Sequence, residues 1–262
     1  MAEARVCESW PVLVFGCCIG SSDKFATVAE PALELVMSAG DVLVREHGGD
    51  GICAANNRIL EKARAIEDCE GVVLLHDDTE LGEGSRDQLL DALRAPQVCV
   101  VGVVGGRDLY GPQWVDARHR AGYADDFYGW RRYGPGTADV DAVDGLLLAL
   151  SPSAFGTLEF DSGAFPSFHG YDTDFCLQAR RVGPRVRVAP VDYVHRDKGG
   201  VEDTEAFSKS AQALTSRWRG VIRPLDLHER LRLGAERWVA AEAGRARHRV
   251  MVGVKRLARR QG

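Results

Sequence analysis

The chain has 262 residues, 45% of them hydrophobic, and a formal charge of -5. This length suits one large α/β domain or two small ones, and the net acidity argues against general nucleic-acid binding. The opening MAEARVCESW has an early Glu and no apolar stretch, and no apolar run approaches bilayer-spanning length, so a cytosolic protein is expected.

Pro11 to Gly20 (PVLVFGCCIG) predicts a first strand that ends in a small-residue turn. Phe25 to Ser38 follows with a helical apolar pattern that Pro31 can begin. Asp41 to Arg45 is a second strand, running into the loop Glu46-His47-Gly48-Gly49-Asp50-Gly51. A Gly-rich loop between strand and helix suits phosphate or base contacts, although this one is neither a Walker loop nor GxGxxG. The next helix, Ala54 to Ile66, opens on Ala54, Ala55, Asn56 and Asn57, small or short polar residues that let a ligand approach the backbone.

Gly71 to Thr79 (GVVLLHDDT) organises the rest. Val72 to Leu75 read as a strand buried on both faces. His76, Asp77 and Asp78 follow without a spacer. Adjacent carboxylates repel and lose hydration when buried, so they belong where the strand leaves the sheet, the edge at which open α/β sheets bind ligands. A divalent cation relieves that repulsion, and carboxylate oxygens suit Mg²⁺ or Mn²⁺. The stretch therefore predicts a metal and phosphate site.

Ser85 is expected to cap a helix bearing Leu89, Leu90 and Leu93, and Val98 to Val104 to form a fourth buried strand. Strand and helix alternate to this point, the pattern of a doubly wound sheet. Gly105 to Ala138, rich in Gly, Tyr, Trp and Arg, has no clear period and predicts an irregular or hairpin-forming segment; packing and function are equally weighted for its aromatic rings. Val140 to Leu150 resumes as a strand interrupted by Asp144 and Gly145; the Asp needs a partner and the Gly admits another group to the backbone.

A second polar cluster lies in HGYDTDFCLQARRVG. Asp172 and Asp174 stand in the first turn of a helix, where acids ordinarily complement the dipole. His169, Gly170 and Tyr171 just before them exceed what a cap requires. Val186 to Val191 is another strand, and VDYVHRDKGG then brings His195 and Lys198 as a ligand or phosphate contact. Beyond Gly200 the chain turns helical and ends in a basic segment in which Val250, Val254 and Leu257 share one face. Either a solvated terminus or peripheral contact with an anionic membrane accounts for it. The seven cysteines include no CxxC pair and read as reduced, mostly buried thiols.

Together, LLHDDTEL and HGYDTDFCLQARRVG resemble the metal motif and the acidic helix-opening motif of GT-A glycosyltransferases, and among them glycosyltransferase family 2, over roughly residues 12 to 200. His76 stands where the first acid of a DxD motif is usual, Tyr171 where a Glu is usual, and GCCIGSS replaces a Pro-rich opening after the first strand. The resemblance implies an α/β GT-A fold, Rossmann-like, with a mostly parallel sheet flanked by helices. It divides the chain into a catalytic domain over 1-200, with a nucleotide-sugar half near 1-104 and an acceptor and base half near 105-200, and a helical extension over 201-262.

It also implies roles. Asp78 would hold a Mn²⁺ or Mg²⁺ ion bridging the diphosphate of a nucleoside diphosphate sugar, with His195 and His76 as further metal contacts. Asp77 would reach the ribose or the metal's waters, Asp144 and Gly145 the donor sugar, and Glu46 and Asp50 the base. Asn57 and His169 join the substrate-binding set, and Lys198 would neutralise the leaving phosphate. Asp172 matches the general base, and Asp174 would cap the helix or fix Asp172. The expected activity is metal-dependent, inverting transfer of a sugar to an unidentified acceptor. A retaining GT-A enzyme and a non-catalytic nucleotide-sugar module are the alternatives. A sugar-phosphate nucleotidyltransferase is disfavoured because no GxGxRL-type stretch opens the chain.

Overall fold

The computed structural model describes residues 11-126, 129-182, 184-196, 204-224 and 231-232. The chain divides after Arg223 into two units. The strands of the first unit are β1 (Val12–Ile19), β2 (Val42–His47), β3 (Cys69–His76), β4 (Thr79–Leu81), β5 (Val98–Gly102), β6 (Val104–Arg107), β7 (His119–Ala124), β8 (Arg131–Arg132), β9 (Ala138–Val140), β10 (Ala142–Val143), β11 (Leu147–Leu150), β12 (Arg185–Val188) and β13 (Tyr193–His195). Its helices are α1 (Ser22–Lys24), α2 (Glu30–Val36), α3 (Ile52–Arg64), α4 (Ser85–Arg94), α5 (Pro152–Phe155), α6 (Tyr171–Arg181) and α7 (Thr204–Arg217).

The main sheet has seven strands in the order β2-β1-β3-β11-β5-β12-β9. β1 runs parallel to β2 and β3, and β5 to β12, while β11 lies antiparallel between β3 and β5. A mostly parallel sheet with helices on its faces must bury both sides of its central strands. Accordingly, Val14, Val72, Leu74, Val100 and Leu148 join one core with α3 and α6 residues such as Ile59 and Phe175. Leu13, Phe15, Val73, Leu75, Val101 and Leu147 join the other with Leu33 of α2 and Leu89 of α4. This two-sided burial is why these stretches read as continuous apolar runs.

Several expected boundaries move. The helix predicted from Phe25 starts earlier, because Ser21 accepts from the Lys24 N–H and caps α1, and a π-helical turn over Phe25–Ala29 joins α1 to α2. Pro31 thus sits just inside α2 rather than opening the helix, and the lengthened turn, with Glu30 N–H bonded to the Phe25 carbonyl, precedes the residue that lacks an N–H. Ser85 is the first residue of α4 and not its cap, which is left-handed Gly84. The run Val98 to Val104 divides between β5 and β6, the latter belonging to a four-stranded antiparallel sheet β10-β6-β7-β8. The two sheets cross at Gly102, where an added Cβ would stand 2.5 Å from Val143 Cβ. The run Val140 to Leu150 also breaks, since the Asp144 carboxylate accepts the Leu146 N–H at 3.0 Å and closes an Asx turn between β10 and β11.

α7 lies against α6, with Leu214 and Trp218 buried in the same core as Phe175 and Leu177. The six described cysteines are free thiols, and burial pushes those of Cys18 and Cys99 up to about 11. No helix among the described residues is long and apolar enough to cross a membrane. The basic segment holding Val250, Val254 and Leu257 lies outside the described residues.

The edge of the sheet is fastened by one buried ion pair. Asp41 accepts from Arg86 through both carboxylate oxygens, Nε at 2.6 Å and Nη2 at 2.9 Å, and also from the Leu13 and Ser38 N–H groups. Arg86 donates further to the Pro11 carbonyl. Replacing Arg86 by Met leaves the Asp41 charge buried without its partner and should cost about 3–5 kcal/mol of unfolding free energy, measured by urea denaturation.

Candidate active site

β3 delivers the first group of polar side chains to the edge of the sheet. Its apolar run ends at His76, the chain turns through Asp77 and Asp78, and β4 then pairs antiparallel with β13 so that Thr79 faces His195. The pairing brings donor atoms of His76, Asp78 and His195 within 4.8 Å of one another. His195 Nε2 is 3.1 Å from Asp78 Oδ1, and Lys24 Nζ is 3.4 Å from Asp78 Oδ2. Burial works against the Asp78 charge, but the nearby His195, with His76 and Lys24, outweighs it and holds the carboxyl down to about 2. Burial likewise opposes protonation of His195, and Asp78 reverses the balance and raises its pKa. For His76 burial prevails and lowers it, so the imidazole stays neutral.

The residues fit a divalent cation. Asp78 Oδ1 is buried and, despite its nearness to His195, has no aligned hydrogen-bond donor, which is the deficit a cation makes good. His76 Nε2 lies 3.0 Å from the Tyr171 hydroxyl, which donates to the Gly145 carbonyl at 3.1 Å. As a neutral imidazole, His76 keeps one ring nitrogen with the free lone pair that a metal requires.

α6 delivers the second group. Left-handed Gly170 turns the chain into the helix, and Asp172 in the first turn accepts the Gly145 N–H at 3.0 Å through Oδ2 and the Thr173 N–H at 2.7 Å through Oδ1. Burial and the neighbouring Asp144 charge push the Asp172 carboxyl up to about 7, against the pull of those N–H groups. Gly145 admits no side chain, because a Cβ there would collide with the Tyr171 hydroxyl and stand 3.0 Å from Asp172 Cβ. The Asp78 and Asp172 corners therefore meet at one place, joined through Gly145, Tyr171 and His76.

Other expected site residues are differently engaged. Asp77 Oδ2 accepts the Gly20 and Ser21 N–H groups at 2.9 and 2.7 Å, fastening the turn after β1. Glu46 is ion-paired with Arg58 and Lys62, and Asp50 with Arg58. The Asn57 amide is matched on both sides by the main chain of Phe160, at 2.8 Å each. Asp144 accepts the Trp114 indole N–H at 2.6 Å as well as the Leu146 N–H. His169 lies edge-on to Phe207 of α7, 5.4 Å between centroids. Asp174 neither caps α6 nor touches Asp172 through any contact described; it binds Trp218 Nε1 at 2.6 Å, Gln178 at 2.7 Å and Arg217 at 3.2 Å, tying α6 to the chain just beyond α7. Lys198 lies outside the described residues. Lys24 and Tyr171 are the two contributors not foreseen in these roles. A single lysine early in a helix carries no sequence signal, whereas the Tyr171 position was marked by its place between His169 and Asp172.

No protein-family profile matches the chain. It is 27% identical over 187 residues to the streptomycin biosynthesis protein StrF of Streptomyces griseus, a match spanning 71% of this chain and 66% of that protein, just under two thirds of its length. Among solved structures, GalNAc-T7 with UDP, GalNAc and Mn²⁺ superposes with a TM-score of 0.52 at 10% identity, over 80% of this chain and 48% of that one. The architecture is that of the GT-A fold.

Asp172 couples this geometry to stability. Its folded carboxyl lies above the ordinary carboxylate value, so its contribution is intact below about pH 4 and is lost as pH rises to about 7. Asp172→Asn keeps an acceptor for only one of the Gly145 and Thr173 N–H groups but carries no titratable charge, so relative to the parent it should gain about 1–3 kcal/mol of stability between pH 4 and pH 8. Denaturant titrations at the two pH values measure this.

Proposed function

We propose that this GT-A chain is a metal-dependent, inverting glycosyltransferase that moves a sugar from a nucleoside diphosphate donor to an acceptor hydroxyl. The observation that carries the reading is the junction at Tyr171, whose hydroxyl touches both His76 and Gly145, while Gly145 in turn donates to Asp172. A donor-binding corner and a proton-accepting corner so joined can act on the two ends of one displacement.

Asp78, His195 and His76 would hold the cation, which supplies Lewis-acid stabilisation of charge on the departing diphosphate. Two imidazoles beside one carboxylate favour Mn²⁺ over the oxygen-preferring Mg²⁺. Lys24, beside Asp78, and Lys198 add positive charge for the phosphates. Asp172 accepts the proton of the attacking hydroxyl; with its carboxyl near 7 it is both substantially ionised at neutral pH and basic enough to hold the proton it takes. Gly145 and Thr173 orient it. Direct displacement by a hydroxyl activated in this way inverts the anomeric centre, and NMR of the product anomer separates it from retention.

In this reading residues 1-104 serve the donor and 105-200 the base and acceptor, with α7 packed into the core of the same unit. The likeness to a streptomycin biosynthesis protein supports a small natural product as acceptor.

Asp172→Asn should lower sugar transfer by about 10²- to 10⁴-fold with unchanged affinity for a nucleoside diphosphate in Mn²⁺. In the parent, kcat/KM should rise with pH and level off above a midpoint near 7. A folded Asp172→Asn variant with parental turnover removes Asp172 from this role. Asp78→Ala should abolish the Mn²⁺-dependent part of nucleoside diphosphate binding by calorimetry; unchanged affinity refutes the metal assignment.

A further inference from the structure

Phe168 is left in solvent at the junction of the two corners. Its ring is 54% exposed, yet it sits 4.8 Å from the His76 ring and 6.0 Å from that of Tyr171. Burying such a side chain ordinarily stabilises a fold, so an exposed ring at this junction calls for a cause. The surrounding segment is held at alternate residues. Phe165 is fully buried, and the Ser167 hydroxyl lies 3.2 Å from that of Ser210 on α7. His169 packs on Phe207 of α7, and Tyr171 is buried and bonded to Gly145. With its neighbours anchored on both sides, Phe168 has no freedom to turn inward. It is presented as a fixed ring beside His76 and Tyr171.

We infer that Phe168 is the acceptor platform, and that the acceptor offers it a saturated, hydroxylated six-membered ring, a pyranoside or cyclitol. Such a ring has a C–H face that covers the phenyl group and a hydroxyl rim that reaches Asp172. A diphosphate is anionic and strongly hydrated, and gains nothing from an apolar ring. The group that delivers its proton to Asp172 is the acceptor, and Asp172 directly follows Tyr171, against which Phe168 rests. This inference depends on the glycosyltransferase reading.

The test uses the full chain with Mn²⁺, a panel of nucleoside diphosphate sugars, and methyl pyranosides and inositols as acceptors. At least one of these rings should accelerate donor consumption above hydrolysis and show upfield-shifted ring protons in the complex. Phe168→Ala should raise its KM about tenfold or more, leaving hydrolysis and nucleoside diphosphate affinity unchanged, while Phe168→Tyr and Phe168→Trp stay near the parent. The inference is overturned if Phe168→Ala leaves KM for every accepted ring unaltered, if it weakens nucleotide binding instead, or if only acyclic acceptors react. A parent that binds no nucleoside diphosphate in Mn²⁺ removes both readings together. An Asp172→Asn variant that still turns over, with the Phe168 effect intact, removes the base assignment and leaves the platform standing.

Discussion

The site depends on one phenol. Tyr171 donates to the Gly145 carbonyl and is hydrogen-bonded to His76 Nε2, so a residue opening a helix fixes both the end of β3 and the turn between β10 and β11. These three segments come from distant parts of the chain, and each carries one polar group the site needs. The contact is possible only because position 145 has no side chain. Burial at the junction also raises the Tyr171 pKa well above its ordinary value, which keeps the hydroxyl protonated. Sequence and backbone shape are thereby fixed by one hydroxyl group.

Around this junction two aspartates have opposite electrostatic fates. Asp78 is beside a protonatable imidazole and an ammonium group and is held near 2, whereas Asp172 faces another carboxylate and is pushed to about 7. Burial and the neighbouring charge act together at Asp172 and against each other at Asp78, where the cationic neighbours prevail. Environments that drive two carboxyls apart allow one to remain an anion under all working conditions while the other exchanges protons. His76 belongs electrically to neither: neutral and bonded to Tyr171, it keeps a lone pair for the first corner without adding repulsion to the protonatable His195.

Much of the fold was legible because buried parallel strands must be apolar on both faces. Val72 to Leu75 announced β3, and the apolar run of Pro11 to Gly20 announced β1. Adjacent ionisable residues at a strand end likewise identified His76 and Asp78, and the surplus of polar groups around Asp172 identified α6. The failures share a cause. Val98 to Val104 is uniformly apolar although it serves two sheets, because a strand changing sheets remains buried throughout. Residue type at Glu46, Asp50, Asn57 and Asp77 likewise did not reveal their partners within the fold, which are Arg58, Lys62 and the main chains of Phe160, Gly20 and Ser21. A partner more than a hundred residues away, as for Asn57 with Phe160, leaves no local trace. Asp174 misled in the same manner, since its indole partner at Trp218 lies beyond the following helix.

β11 reverses direction in the middle of the main sheet, and its position has consequences for how the chain reaches this state. β3 pairs with a strand that begins at Leu147, and β5 joins the sheet through that same strand. A nascent chain that has emerged only as far as β5 therefore has two unsatisfied strand edges and no way to unite them. Such edges invite pairing with other chains, and long-range closure of this kind slows folding. Completion of the sheet waits on a four-residue strand from the later half, since β3 and β5 are united only through β11.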